Sequence, residues 1–134
     1  MLEPGDTVEP FTLEDHQGNS VAWDDLRGKD VVFFFYPKAS TPGCTKEACA
    51  FRDLASDFEA AGVQVFGVSA DTVKRQSNFA TKYELNMPLL ADTEHTILEP
   101  WGIWAEKKNY GRTYMGIKRT TVWFDADGVV KQVW

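Results

Sequence analysis

"VVFFFYPKASTPGCTKEACAFRD", residues 31–53, decides the fold. Val31 to Tyr36 are continuously apolar and either β-branched or aromatic, the composition of a strand buried on both faces in a sheet covered by helices. Pro37 ends that run. Thr41 suits a helix N-cap and Pro42 the first helical position. From there Ala48, Phe51, Leu54, Ala55 and Phe58 recur at steps of three and four, which predicts one amphipathic helix closed by Gly62. Both cysteines of the chain, Cys44 and Cys49, fall in the first turns of that helix.

Downstream, "VQVFGVSA" (63–70) reads as a second strand and "DTVKRQSNFATKYE" (71–84) as a second amphipathic helix, capped by Asp71 or Thr72. "MPLLAD" (87–92) reads as a short strand or loop. The order β-α-β-α-β argues for a parallel sheet with right-handed crossovers and helices on its faces. "HTILEPWGI" (95–103) reads as one short helix and "AEKKNYGRTYMG" (105–116) as a loop with two glycines. "KRTTVWFDADGVVKQVW" (118–134) reads as a hairpin turning at "DADG". Upstream, Phe11 and Leu13, a "QGN" turn at 17–19, then Val21 and Trp23 give an N-terminal hairpin. "DDLRGKD" (24–30) is a single helical turn ended by Gly28. The expectation is one α/β domain over residues 1–134. Its last strand leaves an apolar sheet face that a further helix would normally cover.

Composition fits a globular domain, 43% hydrophobic and 25% charged, so neither a fibrous repeat nor disorder is expected. A net charge of −6 without any Lys/Arg block argues against nucleic acid or an anionic membrane as partner. The N-terminus lacks the pattern of a secretory leader, and no 18-residue apolar run occurs, so a cytoplasmic protein is expected. Two cysteines are too few for a disulfide framework. A close pair in a reducing compartment points to redox or metal chemistry.

Cys44 falls in the first helical turn, where free backbone N–H groups favour an anion, and Gly43 lets a ligand approach the backbone closely. A helix N-terminus supplies about 0.3–1 kcal/mol of such stabilisation, too little on its own to keep an ordinary thiol anionic at neutral pH. A nearby cation is needed. Arg119, at the start of a late strand, is the preferred candidate, because strand ends in an α/β sheet converge where helix N-termini lie. Arg52 is the second, but it lies about 12 Å along the helix axis from Cys44. In an intact helix Cys44 and Cys49 have Cα atoms about 8.7 Å apart, beyond the roughly 6.8 Å that a disulfide spans. The pair can therefore join only if the first turn unwinds. The spacing is that of a switch, in which Cys44 is exposed and reactive while the helix is formed. Zinc is disfavoured: C-x4-C is wide, and His16 and His95 are distant in sequence and expected to be exposed. The C-x-x-C of a thiol exchanger is absent. Trp101 and Trp104 are candidates for an apolar patch near the pocket.

The segment "FFFYPKASTPGCTKEACAFRD" resembles the active-site stretch of a peroxiredoxin of the Q group, also called bacterioferritin comigratory protein. The resemblance extends over "PGDTVEPFTLEDHQGNSVAWDDLRGKDVVFFFYPK", "VFGVSADTVKRQSNFATKY", "PLLAD" and "RTTVWFDADGVV", nearly the whole chain. It implies a thioredoxin-like α/β fold, with a central mixed sheet flanked by helices and an N-terminal β-hairpin. It further implies that Cys44 is the peroxidatic and Cys49 the resolving cysteine, joined afterwards in an intrachain disulfide. Thr41 would bind the peroxide, Pro37 would shield the thiolate, Arg119 would stabilise it and Glu47 would hold the arginine. The substrate would be hydrogen peroxide or an organic hydroperoxide, the reductant thioredoxin or a glutaredoxin system, and no cofactor or metal would be needed. An intrachain bridge suits a monomer. Two departures stand out: Ser40 replaces an Asp common in the family, and the family's C-terminal helix has no counterpart here. A redox-sensing or chaperone-like protein switched by Cys44 oxidation is the alternative.

Overall fold

The computed structural model describes residues 1–134 apart from the side chain of Asn109. Its strands are β1 (Thr12–Asp15), β2 (Ser20–Ala22), β3 (Asp30–Phe35), β4 (Val63–Ser69), β5 (Leu89–Ala91), β6 (Trp104–Asn109), β7 (Arg112–Ile117), β8 (Thr120–Phe124) and β9 (Val130–Val133). Its α-helices are α1 (Pro42–Asp53), α2 (Ala55–Ala60) and α3 (Val73–Lys82). Seven strands form one sheet in the order β2-β1-β5-β4-β3-β8-β9, and β6 pairs with β7 alone. β3, β4 and β5 are mutually parallel, while β1, β8 and β9 join antiparallel, so the sheet is mixed.

The apolar run around β3 sends alternate side chains to opposite faces, and the two faces carry different cores. Val31, Phe33 and Phe35 join Phe11, Trp23, Phe66, Trp101 and Phe124 on one side. Phe34 and Tyr36 join Cys44, Ala48, Phe79 and Leu89 on the other. The first face is covered by the N-terminal segment, the 3-10 turn at Trp23–Leu26 and the stretch around Ile97–Ile103; the second is covered by α1 and α3. Phe33 to Phe35 are fully buried, and each such side chain contributes about 1.5–3 kcal/mol by leaving water. The sheet is thus fixed on both sides of β3, whose C-terminal end delivers the chain to Pro37 and to the start of α1.

Four local expectations need correction. The helix predicted from Pro42 to Gly62 is two helices, broken at Leu54, whose N–H bonds both the Ala50 and Phe51 carbonyls. Leu54 is 47% exposed, so its place in the apolar periodicity reflects no core contact. Residues 95–103 form successive turns rather than a helix. The Asp92 carboxylate accepts the N–H groups of Thr96, Ile97 and Leu98, and His95 takes a left-handed φ of 57°, which together hold the chain off the helical path. The glycine-containing loop at 105–116 is a β-hairpin, β6–β7, turning at Tyr110 and Gly111 with φ of 51° and 75°. Two central residues at positive φ make the turn type that matches strand twist. Most of β7 is exposed, so no apolar alternation marked it as a strand. Trp23 lies in the 3-10 turn rather than in β2.

Val32, Phe51, Phe58, Trp123 and Trp134 line a shallow apolar groove beside α1 and α2, on the sheet face expected to want cover. Among the described residues no helix is long and apolar enough to cross a membrane.

Candidate active site

The first turn of α1 meets the end of β3 and the start of β8. Thr41 is the N-cap by backbone geometry, yet its hydroxyl makes no capping bond. It donates instead to the Lys38 carbonyl at 2.9 Å. The first bond of the helix runs from Thr45 N–H to the Thr41 carbonyl at 2.8 Å. The N–H groups of Gly43 and Cys44 precede that bond, and a helix start leaves such donors free for an anion.

Cys44 is 1% exposed and packs with Phe34, Tyr36, Ala48 and Phe79. The expectation of an exposed thiol is therefore wrong. The first turn of α1 presents position 44 to the sheet, and only the azimuth of the docked helix decides that. Arg119 covers the sulfur from the solvent side: its Nη2 lies 3.2 Å from Cys44 Sγ and its Nη1 donates to Glu47 Oε1 at 3.0 Å. Burial disfavours the guanidinium charge, but the Cys44 sulfur and the Glu47 carboxylate outweigh it and raise the basicity of Arg119. Burial also raises the pKa of Glu47 above its ordinary value, opposed in part by Arg119. A Cβ at Gly43 would sit 3.4 Å from Arg119 Nη2, touching the guanidinium without displacing it.

Arg52, the second cation considered, pairs with Asp53 and donates to the Tyr83 carbonyl at 2.7 Å, away from the thiol. Cys49 is half-buried, and both cysteines are free thiols. Pro37 stands exposed at the end of β3, so the packing around the thiol comes from the apolar cluster beneath it. Trp101 is in the core of the opposite sheet face, 5.6 Å from Phe33 between ring centroids, and Trp104 packs against His95 with the rings tilted; neither lines a patch near Cys44. His95 also contacts Glu99 at 3.1 Å, and His16 accepts the Leu89 N–H, so both histidines are half-buried with partners rather than exposed.

Behind the thiol lies a polar network that the sequence reading missed. Tyr36 donates to Gln76, whose amide donates to Ser69 Oγ and to the Leu90 carbonyl, both at 2.9 Å. Ser69 donates to Asp71 Oδ2 at 2.7 Å, and the same oxygen accepts the Ala39 N–H at 2.7 Å. Burial pushes the Tyr36 phenol far above its ordinary pKa, so it remains a donor. One signal was available: Gln76 occupies the apolar face of α3 with Phe79 and Ala80, and a polar residue there needs internal partners. Of the two cap candidates, Asp71 and Thr72, it is Thr72 that caps α3, accepting the Arg75 N–H.

A mixed sheet that sets a buried cysteine at a helix N-terminus against a guanidinium suits thiol chemistry, and the relatives of this chain make it a thiol-dependent peroxidase of thioredoxin-like fold. The AhpC/TSA family model matches residues 4–133. The chain belongs to this family, and its relatives place it with the Bcp, or peroxiredoxin Q, proteins. It is 44% identical over 132 residues to peroxiredoxin Bcp of Escherichia coli strain K12, covering 98% of this chain and 85% of that one. It superposes on the bacterioferritin comigratory protein of Xanthomonas campestris with a TM-score of 0.89 at 34% identity, covering 96% and 87% of the two chains. For a variant of Xylella fastidiosa PrxQ the TM-score is 0.95 at 28% identity, covering 100% and 86%.

Proposed function

We propose that Cys44 is the peroxidatic thiol of this peroxidase and Cys49 the resolving one. The observation that carries the reading is the 3.2 Å contact between Arg119 and the Cys44 sulfur at the N-terminus of α1. The Cys44 thiolate attacks one oxygen of the hydroperoxide, the O–O bond breaks, and the alkoxide or hydroxide leaves as an alcohol or water after taking a proton. Cys44 becomes a sulfenic acid. Arg119 and the free N–H groups of Gly43 and Cys44 stabilise charge developing on the oxygens, as fixed dipoles do in an oxyanion hole. Thr41 positions the substrate, Glu47 holds Arg119, and Pro37 shields the entrance.

The Cys49 thiolate then attacks the sulfenic sulfur, expelling hydroxide, which leaves as water, and forming the Cys44–Cys49 disulfide. That step needs the first turn of α1 to unwind, since about 8.7 Å separates the Cα atoms in an intact helix. An external dithiol of the thioredoxin or glutaredoxin kind returns both cysteines to thiols by exchange. The Xanthomonas campestris relative reduces alkyl peroxides, which supports organic hydroperoxides as well as hydrogen peroxide as substrates here. A monomer in the cytoplasm would suffice for this cycle.

One equivalent of hydrogen peroxide added to the reduced protein, followed by intact mass, tests the scheme. The parent is expected to lose two hydrogens and Cys49→Ser to gain one oxygen. A parent unchanged over minutes overturns the peroxidase role of Cys44. An oxidised protein that no dithiol returns to thiols would favour a redox sensor.

A further inference from the structure

We propose that Asp71 is a positioning residue for peroxide reduction, acting on the Thr41 hydroxyl through the single peptide unit that joins Lys38 to Ala39. The N–H of that peptide, on Ala39, donates to Asp71 Oδ2 at 2.7 Å, and its carbonyl, on Lys38, accepts from Thr41 Oγ1 at 2.9 Å. One rigid amide plane therefore links a buried carboxylate to the hydroxyl at the helix N-cap. Asp71 is 8% exposed, and it is braced by Ser69 Oγ at 2.7 Å, which is braced in turn by Gln76. Gln76 also holds Tyr36, so the residues before and after Pro37 and Lys38 are tied to one network reaching from β4 and α3.

Two consequences follow for the hydroxyl. Its hydrogen is committed to the Lys38 carbonyl, which leaves the oxygen lone pairs as acceptors for the hydrogen of a bound hydroperoxide. Hydrogen bonds in series polarise one another, so the carboxylate on the N–H side makes the carbonyl a stronger acceptor and fixes the hydroxyl rotor more firmly. The loop needs such a hold because Ser40, between Ala39 and Thr41, sits at a φ of 65°, a region that a non-glycine residue occupies only when its surroundings impose it. The proposal rests on Thr41 binding the substrate, as set out above.

The test uses the Cys49→Ser background, in which Cys44 is the only thiol, and measures the second-order rate of Cys44 oxidation by hydrogen peroxide beside its alkylation by iodoacetamide. Asp71→Ala is expected to slow oxidation about tenfold, the cost of one mispositioned hydrogen bond, and to leave alkylation within about threefold. Asp71→Asn, which still accepts the Ala39 N–H, is expected to recover most of the oxidation rate, and Ser69→Ala, which removes the brace on Asp71, is expected to slow oxidation severalfold and stands in if the alanine variant fails to fold. Added to Thr41→Val, Asp71→Ala is expected to cost almost nothing more, because its route to the substrate is already gone. Equal slowing of oxidation and alkylation, additive losses with Thr41→Val, or an unchanged Asp71→Ala overturns the proposal. If Thr41→Val alone leaves oxidation unchanged, the substrate role of Thr41 fails instead, and an Asp71→Ala loss seen in that background has another cause.

Discussion

Arg119 touches both the sulfur of Cys44 and the carboxylate of Glu47, so the charge state of Glu47 would reach the proposed reaction through the guanidinium. Burial raises the pKa of Glu47, and Arg119 opposes that rise without cancelling it. The folded protein thus holds the Glu47 proton more tightly than the unfolded chain, and ionisation of Glu47 opposes folding. Its contribution to stability is fully present below the ordinary glutamate value of 4.5 and is lost as pH rises through the higher folded value. Activity has the opposite sign, because only the ionised carboxylate anchors Arg119. Glu47→Gln is therefore expected to be more stable than the parent at neutral pH, with the gain gone in acid, and to react with peroxide more slowly than the parent by a factor that shrinks as the pH falls. Thermal melts and stopped-flow rates from pH 4 to 8 read both. A parent whose melting point relative to the variant rises with pH would contradict the assignment. Arg119 was legible in the sequence because strand ends converge at helix starts. The burial of Cys44 was not, because the azimuth at which α1 docks is a tertiary property.

In the proposed cycle the first turn of α1 is stable enough to present Cys44 and weak enough to open for Cys49. Thr41 gives it no side-chain cap and Pro42 no N–H, while Gly43 costs about 0.8–1.0 kcal/mol relative to alanine in a helix. Gly43→Ala should hold the turn shut and slow closure of the disulfide about fourfold, leaving sulfenic acid formation nearly unchanged. The added methyl would meet Arg119 Nη2 at 3.4 Å, an ordinary contact. Rapid-quench mass spectrometry separates the two steps, and a closure rate equal to that of the parent would mean the turn is not the element that opens. Elements with strong periodicity, β3, β4, α3 and the β8–β9 hairpin, were readable from sequence. The β6–β7 hairpin was not, because both its faces meet water along most of β7, and the stretch from Asp92 to Ile103 was not, because a single carboxylate capping three N–H groups overrides an apparently helical pattern.

Across the molecule the sheet separates two cores, and only one of them carries the thiol. Phe34 and Tyr36 form the floor on which Cys44 packs, and Gly67 of the neighbouring strand β4 makes room for both. A Cβ at Gly67 would lie 2.7 Å from Leu89 Cδ2 and 2.8 Å from Phe34 Cζ, so Gly67→Ala must push that floor. Such overpacking costs about 1–3 kcal/mol. Phe124, packed against Trp23, Phe33 and Trp101, belongs to the other face, and Phe124→Leu is expected to destabilise by a comparable amount, within the usual 0.5–3 kcal/mol of point changes. The two variants thus weaken the fold similarly by urea denaturation, yet they should differ at the site. Gly67→Ala is expected to slow Cys44 oxidation severalfold under native conditions, because displacement of Phe34 and Tyr36 shifts the sulfur relative to Arg119 and disturbs the Tyr36–Gln76 bond. Phe124→Leu is expected to leave that rate unchanged wherever the protein remains folded. If both slow the reaction in proportion to their lost stability, the sheet does not insulate the site from the far core, and the division of labour between its faces would have to be abandoned.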